Sequence, residues 1–144
     1  MRTSVRPAGF TLIEVMVVLL IIGIMASIVA PNIMGNQEDA KLQKAAVDIQ
    51  QLESAVEMYK LKNSQFPTTE QGLDALVNEP TIEPLPRNYP QGGFIKRLPE
   101  DPWNNPYVII SPGEMGQVDI FSNGPDQQPG TDDDIGNWNL NEYQ

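Results

Sequence analysis

The sequence predicts an α+β fold, in which a long N-terminal helix packs on a small antiparallel β-sheet. Three features carry this prediction. An apolar run near the N-terminus continues into a segment with apolar residues at helical spacing, two short β-rich segments flank a Pro-Gly turn, and a cluster of aspartates follows them. The 144 residues leave about 110 for one small soluble domain beyond the apolar run.

The composition excludes several classes of function. The formal net charge is −10, and loss of Arg2 and Arg6 with an N-terminal leader would make it more negative. Nucleic acids and anionic lipids repel such a chain. The sequence contains no Cys and no His, so it offers no disulfide, no histidine general base and no imidazole or thiolate metal ligand. An exported or cation-binding domain fits this composition.

The N-terminal 30 residues have the pattern of a basic leader followed by a membrane anchor. Arg2 and Arg6 precede an apolar run from Phe10 to Ala30. That run would form a helix of roughly 31 Å, close to the hydrocarbon thickness of about 30 Å. The simpler alternatives are an ordinary secretory signal and a plain anchor. The cleavage site of an ordinary signal would follow the apolar run, whereas the plausible cut here precedes it. The positive-inside rule places the N-terminus in the cytoplasm and residues from about 35 onward outside.

A single acid, Glu14, lies near the start of this apolar run. A carboxylate costs roughly 2–3 kcal/mol at mid-bilayer, and less near the interface, unless something pairs with it. An ionisable residue in such a segment is therefore a candidate functional residue. The alternative is that Glu14 stays hydrated among the lipid headgroups.

A second, amphipathic helical segment is predicted over residues 36–62. Its apolar residues recur at spacings of three and four. Together with the apolar run it would make one helix of about 50 residues, kinked or locally melted near Pro31. The apolar stripe is expected to pack on the C-terminal domain, and it consists of Leu42, Ala45, Ile49, Leu52, Val56 and Tyr59.

Residues 63–106 are predicted to be mostly loop. Their many prolines leave few backbone donors for regular structure. The exception is a short helix expected over 69–77, with Thr68 and Gln71 in a capping box.

Two strands are predicted after this loop region. They cover Tyr107–Ile110 and Gln117–Phe121, and a turn at Pro112-Gly113 lies between them. This order predicts a β-hairpin.

Four aspartates lie close together in the C-terminal loop: Asp126, Asp132, Asp133 and Asp134. The turn residues between them are expected to fold the loop back and bring Asp126 towards the other three. Carboxylates and carbonyls are the oxygen ligands that calcium takes, but the loop lacks the spacing of an EF-hand. From the residues alone, a calcium site and a solvated acidic turn both remain open.

Several motifs resemble those of a known family. The stretch Gly-Phe-Thr-Leu-Ile-Glu at 9–14 is similar to the class III signal that type IV pilins and type II secretion pseudopilins share. Four further stretches look like the major (G-type) pseudopilin of the bacterial type II secretion system, and the match covers nearly the whole chain: Phe66–Leu73, Asp101–Tyr107, Asp119–Ser122 and Asp134–Trp138. The resemblance implies a type IV pilin-like fold with a C-terminal metal-binding loop.

The resemblance also implies how the chain is divided. Residues 1–9 would be a leader cleaved after Gly9, and the new first residue, Phe10, would be N-methylated. Residues 10–30 would be the transmembrane and assembly helix, in which Glu14 pairs with the free amine of Phe10 on a neighbouring subunit. The rest, 31–144, would be the periplasmic domain, with the amphipathic helix at 36–62, a variable loop region at 63–106, and the β-sheet and calcium loop at 107–144.

The cofactor that the resemblance implies is calcium, held in the acidic loop. Carried over by position, Asp126, Asp133 and Asp134 would supply side-chain oxygens, and Asn123 and Gln128 would supply backbone carbonyls. Asp132 would stand beside the site without contributing a direct ligand.

The function that the resemblance implies is structural and not enzymatic. The chain would be anchored in the bacterial inner membrane and polymerise into a helical pseudopilus that spans the periplasm. Filament growth would drive folded proteins across the outer membrane. Its partners would be further copies of itself, minor pseudopilins, the prepilin peptidase/methyltransferase, the inner-membrane assembly platform and the outer-membrane secretin, with no nucleic acid.

Two other functions are kept as alternatives. A type IV pilin for adhesion or motility would share the N-terminal motif, but most such pilins carry a C-terminal disulfide and this chain has no Cys. A membrane-anchored calcium-dependent enzyme is disfavoured because the chain has no His or Cys for nucleophilic work. Deletion of the protein would separate these functions by loss of exoprotein secretion or of surface pili.

Overall fold

The computed structural model describes residues 9–143, with side chains described for 9–27 and 37–143. The chain divides into two compact units, Met1–Glu38 and Asp39–Gln144. The predicted leader therefore lies outside the described residues, apart from Gly9. The second unit contains every described strand.

Helix α1 (Leu12–Asn63) begins within the apolar run and ends one residue beyond the predicted amphipathic segment. It stops where Ser64 adopts a φ of 67°, a left-handed conformation that commonly terminates helices. The helix assignment continues through Pro31. The local melting predicted there is therefore wrong, because a single interior proline removes one backbone hydrogen bond, and the neighbouring turns keep their helical form. A kink at Pro31 stays a prediction.

In the part of the chain that the structure describes, no helix was found that is both long enough and apolar enough to cross a membrane. The predicted span, 10–30, includes residues 28–30, whose side chains lie outside the described set.

The apolar stripe predicted on the second half of α1 forms one wall of the core. Five of its six residues are buried, and Leu42 is half-buried against the same cluster. The opposite wall comes from the sheet and from the loops before it, with Ile109, Ile120 and Ile135 among the buried residues. This packing confirms the predicted role of the stripe.

A polar link joins α1 to the start of the sheet. The Tyr107 hydroxyl donates to Oδ2 of Asp48 at 2.9 Å, and Lys44 Nζ donates to the same oxygen at 2.6 Å. Burial, reinforced by the bond to the carboxylate, raises the pKa of Tyr107. Tyr107 therefore remains a hydrogen-bond donor throughout the physiological pH range.

The sheet has three antiparallel strands: β1 (Val108–Ile110), β2 (Asp119–Ser122) and β3 (Ile135–Gly136), in the order β1-β2-β3. The predicted hairpin is confirmed, with strand ends within two residues of those expected. All four residues of β2 are buried, because one face meets the core and the other carries Phe121 against the Trp138 ring, with centroids 5.7 Å apart. Strand β3 was not predicted, since two residues are too few to give a periodic signal.

The helix expected over 69–77 is a turn followed by a short 3₁₀ helix at Leu73–Leu76. Its capping box is present: Thr68 N donates to Gln71 Oε1 at 3.0 Å, and Gln71 N donates to Thr68 Oγ1 at 3.2 Å. Gly72 has a φ of 66°, so the backbone leaves the right-handed helical region before an α-helix can form. A second 3₁₀ helix, Leu140–Tyr143, follows β3.

Candidate functional site

The N-terminal candidates, Gly9, Phe10 and Glu14, lie together at the start of α1. Phe10 is fully open to its surroundings, with 85% of its surface exposed. Thr11 and Glu14 form a cap: Glu14 N donates to Thr11 Oγ1 at 3.3 Å, and the Thr11 amide donates to the Glu14 carboxylate at 3.4 Å. This long bond occupies one carboxylate oxygen weakly and leaves Glu14 able to accept a stronger donor.

Every described residue of the first helical stretch, 9–27, is exposed. These residues are almost all apolar, and they point in every direction around the helix axis. A helix that is apolar all round is stable only when lipid or other helices cover it. The exposed surface therefore defines an assembly or anchoring segment and not the face of a soluble domain.

The C-terminal candidates form a closed acidic loop between β2 and β3. The fold-back predicted for this loop is present: Asp126 N donates to Oδ2 of Asp133 at 3.1 Å. Gln128 N donates to Oδ1 of Asp126 at 2.8 Å, and Gly130 N donates to Oδ2 of Asp134 at 2.7 Å. Asp126, Asp133 and Asp134 are thus bound into one loop, while the Asp132 side chain is exposed and makes no described hydrogen bond.

Thr131 lies at the middle of this loop and was missed by the sequence analysis. Its hydroxyl oxygen is 2.6 Å from Oδ1 of Asp133, 3.1 Å from the carbonyl of Gln128 and 3.4 Å from Oδ1 of Asp126. A threonine hydroxyl has one proton and can serve one of these acceptors at a time. The centre of the loop therefore contains more acceptors than donors.

Two further oxygens beside the loop have no partner at all in the described part of the chain. They are Oδ1 of Asn123 and Oδ1 of Asp134, and both are buried. Buried acceptors without donors are costly and rare. For Asn123 the expected ligand was the backbone carbonyl, whereas the unpartnered atom is the side-chain oxygen. Side-chain oxygens of this kind can coordinate a cation.

Hydrogen bonding holds Asp133 in its charged form. The Thr131 hydroxyl and the backbone N–H of Asp126 both donate to its carboxylate and lower its pKa. Asp133 is therefore ionised at neutral pH and available as an anionic oxygen ligand.

The buried carboxylate of Asp101 holds the start of the acidic loop in position through hydrogen bonds. Asp101 is 3% exposed and accepts the Ser122 hydroxyl at 2.6 Å on Oδ2, and the N–H groups of Trp103 and Asn105 on Oδ1. Ser122 Oγ in turn accepts the N–H of Gly124 at 3.2 Å. These hydrogen bonds connect Gly124, near the start of the acidic loop, through Ser122 to the Asp101–Tyr107 segment.

Among the side chains that the structure describes, at 9–27 and 37–143, no three acidic groups converge as a ready-made metal site. Any cation in the loop would have to draw on amide and carbonyl oxygens as well as carboxylates. The donor set is all oxygen, as calcium prefers.

A long exposed apolar helix joined to a small α+β domain with an oxygen-rich loop is the architecture of a pilin-like structural subunit. The chain matches the family Type II secretion system (T2SS), protein G over residues 32–138, and a prokaryotic N-terminal methylation motif over residues 6–30. It belongs to the type II secretion system protein G family.

Named relatives are similar in sequence over nearly the whole chain. The Type II secretion system core protein G of Aeromonas hydrophila is 64% identical over 96% of this chain and 97% of its own length. The protein of the same name from Vibrio cholerae is 56% identical, with both chains fully covered. The crystal structure of the major pseudopilin from the type 2 secretion system of enterohaemorrhagic Escherichia coli is similar with a TM-score of 0.71 and 55% identity, covering 74% of this chain and 90% of that chain.

These comparisons confirm the pilin-like α+β fold and the prediction of a structural pseudopilus subunit of type II secretion, not an enzyme. Family membership and the methylation motif imply a membrane-anchored, periplasmic, pilus-like subunit. The comparisons leave the roles of Gly9, Phe10, Glu14 and the acidic loop as predictions.

Proposed function

We propose that the chain polymerises through its N-terminal helix into a helical pseudopilus that drives folded proteins across the outer membrane. The observation that carries this proposal is the exposed surface of residues 10–27, which is apolar all round except at Thr11, Glu14 and Ser27 and needs helices of neighbouring subunits or lipid to cover it. The partners would be further copies, minor pseudopilins, the prepilin peptidase/methyltransferase, the inner-membrane platform and the outer-membrane secretin. Deletion should abolish secretion of exoproteins and leave surface pili intact; loss of surface pili instead would identify a type IV pilin.

The proposed membrane orientation rests on the charges at the N-terminus, and the proposed mature N-terminus rests on cleavage of the leader. Arg2 and Arg6 would hold the N-terminus in the cytoplasm, so that the domain from about residue 35 lies in the periplasm. The leader would be cut between Gly9 and Phe10, and methylation would follow on the Phe10 amine. The free amine of Phe10 does not exist before cleavage, so subunits would assemble only after the leader has been removed.

Glu14→Ala should leave processing and insertion normal and reduce the yield of filaments by about tenfold or more. The Phe10 amine of a neighbouring subunit and the Glu14 carboxylate would each compensate the other in an apolar setting, and removal of one partner leaves an unpaired charge. Mass spectrometry of the membrane fraction measures the processed N-terminus, and shearing with electron microscopy measures filaments. Glu14→Asp, which keeps the charge, is the matched control. Normal filaments and secretion from Glu14→Ala would refute the pairing.

We also propose that calcium binds in the acidic loop. Asp126, Asp133, Asp134, Asn123 and Gln128 would hold the ion, and it would neutralise the mutual repulsion of the carboxylates. Support comes from the unpartnered oxygens of Asn123 and Asp134 and from the excess of acceptors around Thr131. Without disulfides, such an ion would add a cross-link within the loop, beside the strand pairing that already joins β2 to β3.

Calcium should raise the melting temperature of the soluble part, residues 35–144, by roughly 10–20 °C relative to EGTA. A hundredfold excess over the dissociation constant contributes about 2.7 kcal/mol, and 1 kcal/mol shifts the melting temperature of such a domain by about 4–8 °C. Asp133→Ala should lose the response, and Asp132→Ala, which removes a neighbouring exposed charge, should keep it. Equal melting temperatures in EGTA and in millimolar calcium would mean that the loop is only a solvated acidic turn.

A further inference from the structure

A groove of about 530 Å³ runs between the β1–β2 turn, the acidic loop and the C-terminal segment. We call it the hairpin groove. Its apolar surface includes Met115, which is 67% exposed, and the Trp138 ring, which is 37% exposed. Its acidic residues are Glu114, Asp119, Asp132 and Asp134. Large apolar side chains that remain open beside carboxylates are typical of a surface that takes another protein segment.

The walls of the groove are rigid before any partner arrives. The Asp119 carboxylate, 3% exposed, accepts the backbone N–H groups of Glu114, Met115 and Gly116 at 2.6, 2.9 and 2.9 Å. On the far side, the Trp138 ring rests on Phe121. A preformed site loses little conformational entropy on binding.

The chemistry of the groove calls for a partner that is both apolar and cationic. Residues 98–144 contain no Lys or Arg, so no basic side chain of this stretch offsets its acids. The Asp132 side chain on the wall is exposed and makes no described hydrogen bond. An aromatic, acid-rimmed groove suits a Pro-rich segment that ends in a basic residue.

The chain presents such a segment on its own surface, at Pro84-Leu85-Pro86-Arg87. Leu85 is 50% exposed, and the Arg87 side chain makes no hydrogen bond or ion pair with any described residue. The segment is held in place by the buried side chain of Gln71, whose Nε2 donates to the carbonyls of Ile82 and Pro84 at 2.8 and 2.9 Å. Bends at 82–84 and 87–88 flank Leu85 and Pro86, and the two hydrogen bonds from Gln71 hold the start of the segment in place.

We propose that the hairpin groove of one subunit binds the Pro84–Arg87 segment of a second copy of this chain, with Leu85 against Met115 and Trp138, and Arg87 beside Glu114 and Asp132. Groove and segment are different patches of one surface. A contact of this kind is head-to-tail, and repeated head-to-tail contacts generate helical filaments. The inference rests on the proposed function, because it requires that copies assemble.

Cysteine cross-linking tests the contact in the full-length chain, assembled in cells. The native sequence has no Cys, so unsubstituted copies cannot form disulfides with one another. A chain carrying both Leu85→Cys and Met115→Cys should, after mild oxidation of filaments, give a ladder of dimers, trimers and longer species. Both positions are exposed, so the substitutions leave the core unchanged. A chain carrying Leu85→Cys and Glu57→Cys, with the second cysteine on the exposed face of α1, is the matched control and should give no ladder.

Charge reversal provides an independent measurement. Arg87→Glu should lower filament yield about tenfold, because like charges placed opposite each other at an interface are strongly unfavourable. Addition of Glu114→Arg to the same chain should restore most of the yield. Lys62→Glu makes the same change in net charge on a neighbouring surface and should have little effect.

The possible results distinguish a failure of this contact from a failure of the proposed function. If the unsubstituted chain forms no filaments, the proposed function fails. If filaments form but the 85–115 ladder is absent, or no stronger than the control, the contact is wrong. A single cross-linked band with a different protein would also overturn it, as would a filament yield that Glu114→Arg does not restore.

Discussion

Asp101→Ala is expected to lower the free energy of unfolding of the soluble domain by about 3–4 kcal/mol, which would lower its melting temperature by about 15 °C or more. The substitution removes a buried acceptor and leaves the Ser122 hydroxyl and the N–H groups of Trp103 and Asn105 without a partner. Each such loss costs about 1–3 kcal/mol. Thermal unfolding followed by circular dichroism in millimolar calcium measures the change.

Asp101→Asn is the control for this prediction. An asparagine keeps the shape and one acceptor oxygen, so it should retain the bonds to Trp103 and Asn105 and lose only the one to Ser122. The expected order of stability is therefore wild type, Asp101→Asn, Asp101→Ala. Equal stability of wild type and Asp101→Ala would show that the segment before β1 does not support the acidic loop.

Gly124→Ala is expected to destabilise the domain by about 2–4 kcal/mol and to weaken its response to calcium. Gly124 has a φ of 63°, and a Cβ there would lie 2.3 Å from the carbonyl oxygen of Asp133 and 2.9 Å from its carboxylate. The backbone of the loop would have to move away from β2. Melting temperatures in calcium and in EGTA measure both effects.

Gly130→Ala separates backbone strain from packing. Gly130 also has a positive φ, of 86°, but a Cβ there meets nothing within 4 Å. This variant should therefore cost only the strain of the left-handed conformation, about 1 kcal/mol. If both variants lose the same stability, close packing of Gly124 on Asp133 does not matter.

The helical part of the fold could be predicted in detail, because burial there repeats with the period of the helix. Ala45, Ile49 and Val56 were placed in the core from spacing alone, and all are buried. The same reasoning failed at 69–77, where the capping box at Thr68 and Gln71 formed but the helix did not. A local hydrogen-bond motif can be recognised in a sequence, whereas the positive φ of Gly72 depends on the direction the chain must take next.

The acidic loop could be predicted only in part. The aspartates and turn residues were enough to indicate that Asp126 turns back towards residues 132–134, and its backbone N–H does reach the Asp133 carboxylate. Thr131 has no distinguishing local pattern, and its position among three acceptors follows from the closure of the loop. The two-residue strand β3 closes that loop, and it forms only because β2 offers it a free edge.

By itself, the sequence determined the N-terminal segment, the helical core stripe and the family, because each is encoded by residues that are close together along the chain. Only the tertiary structure decided which distant residues share a site. Asp101 reaches Ser122, and the unpartnered oxygens of Asn123 and Asp134 come to lie beside one loop, through backbone paths that no local spacing specifies. The physical reason is that hydrogen bonds and close packing depend on distances of a few ångströms, which are set only when the whole chain has folded.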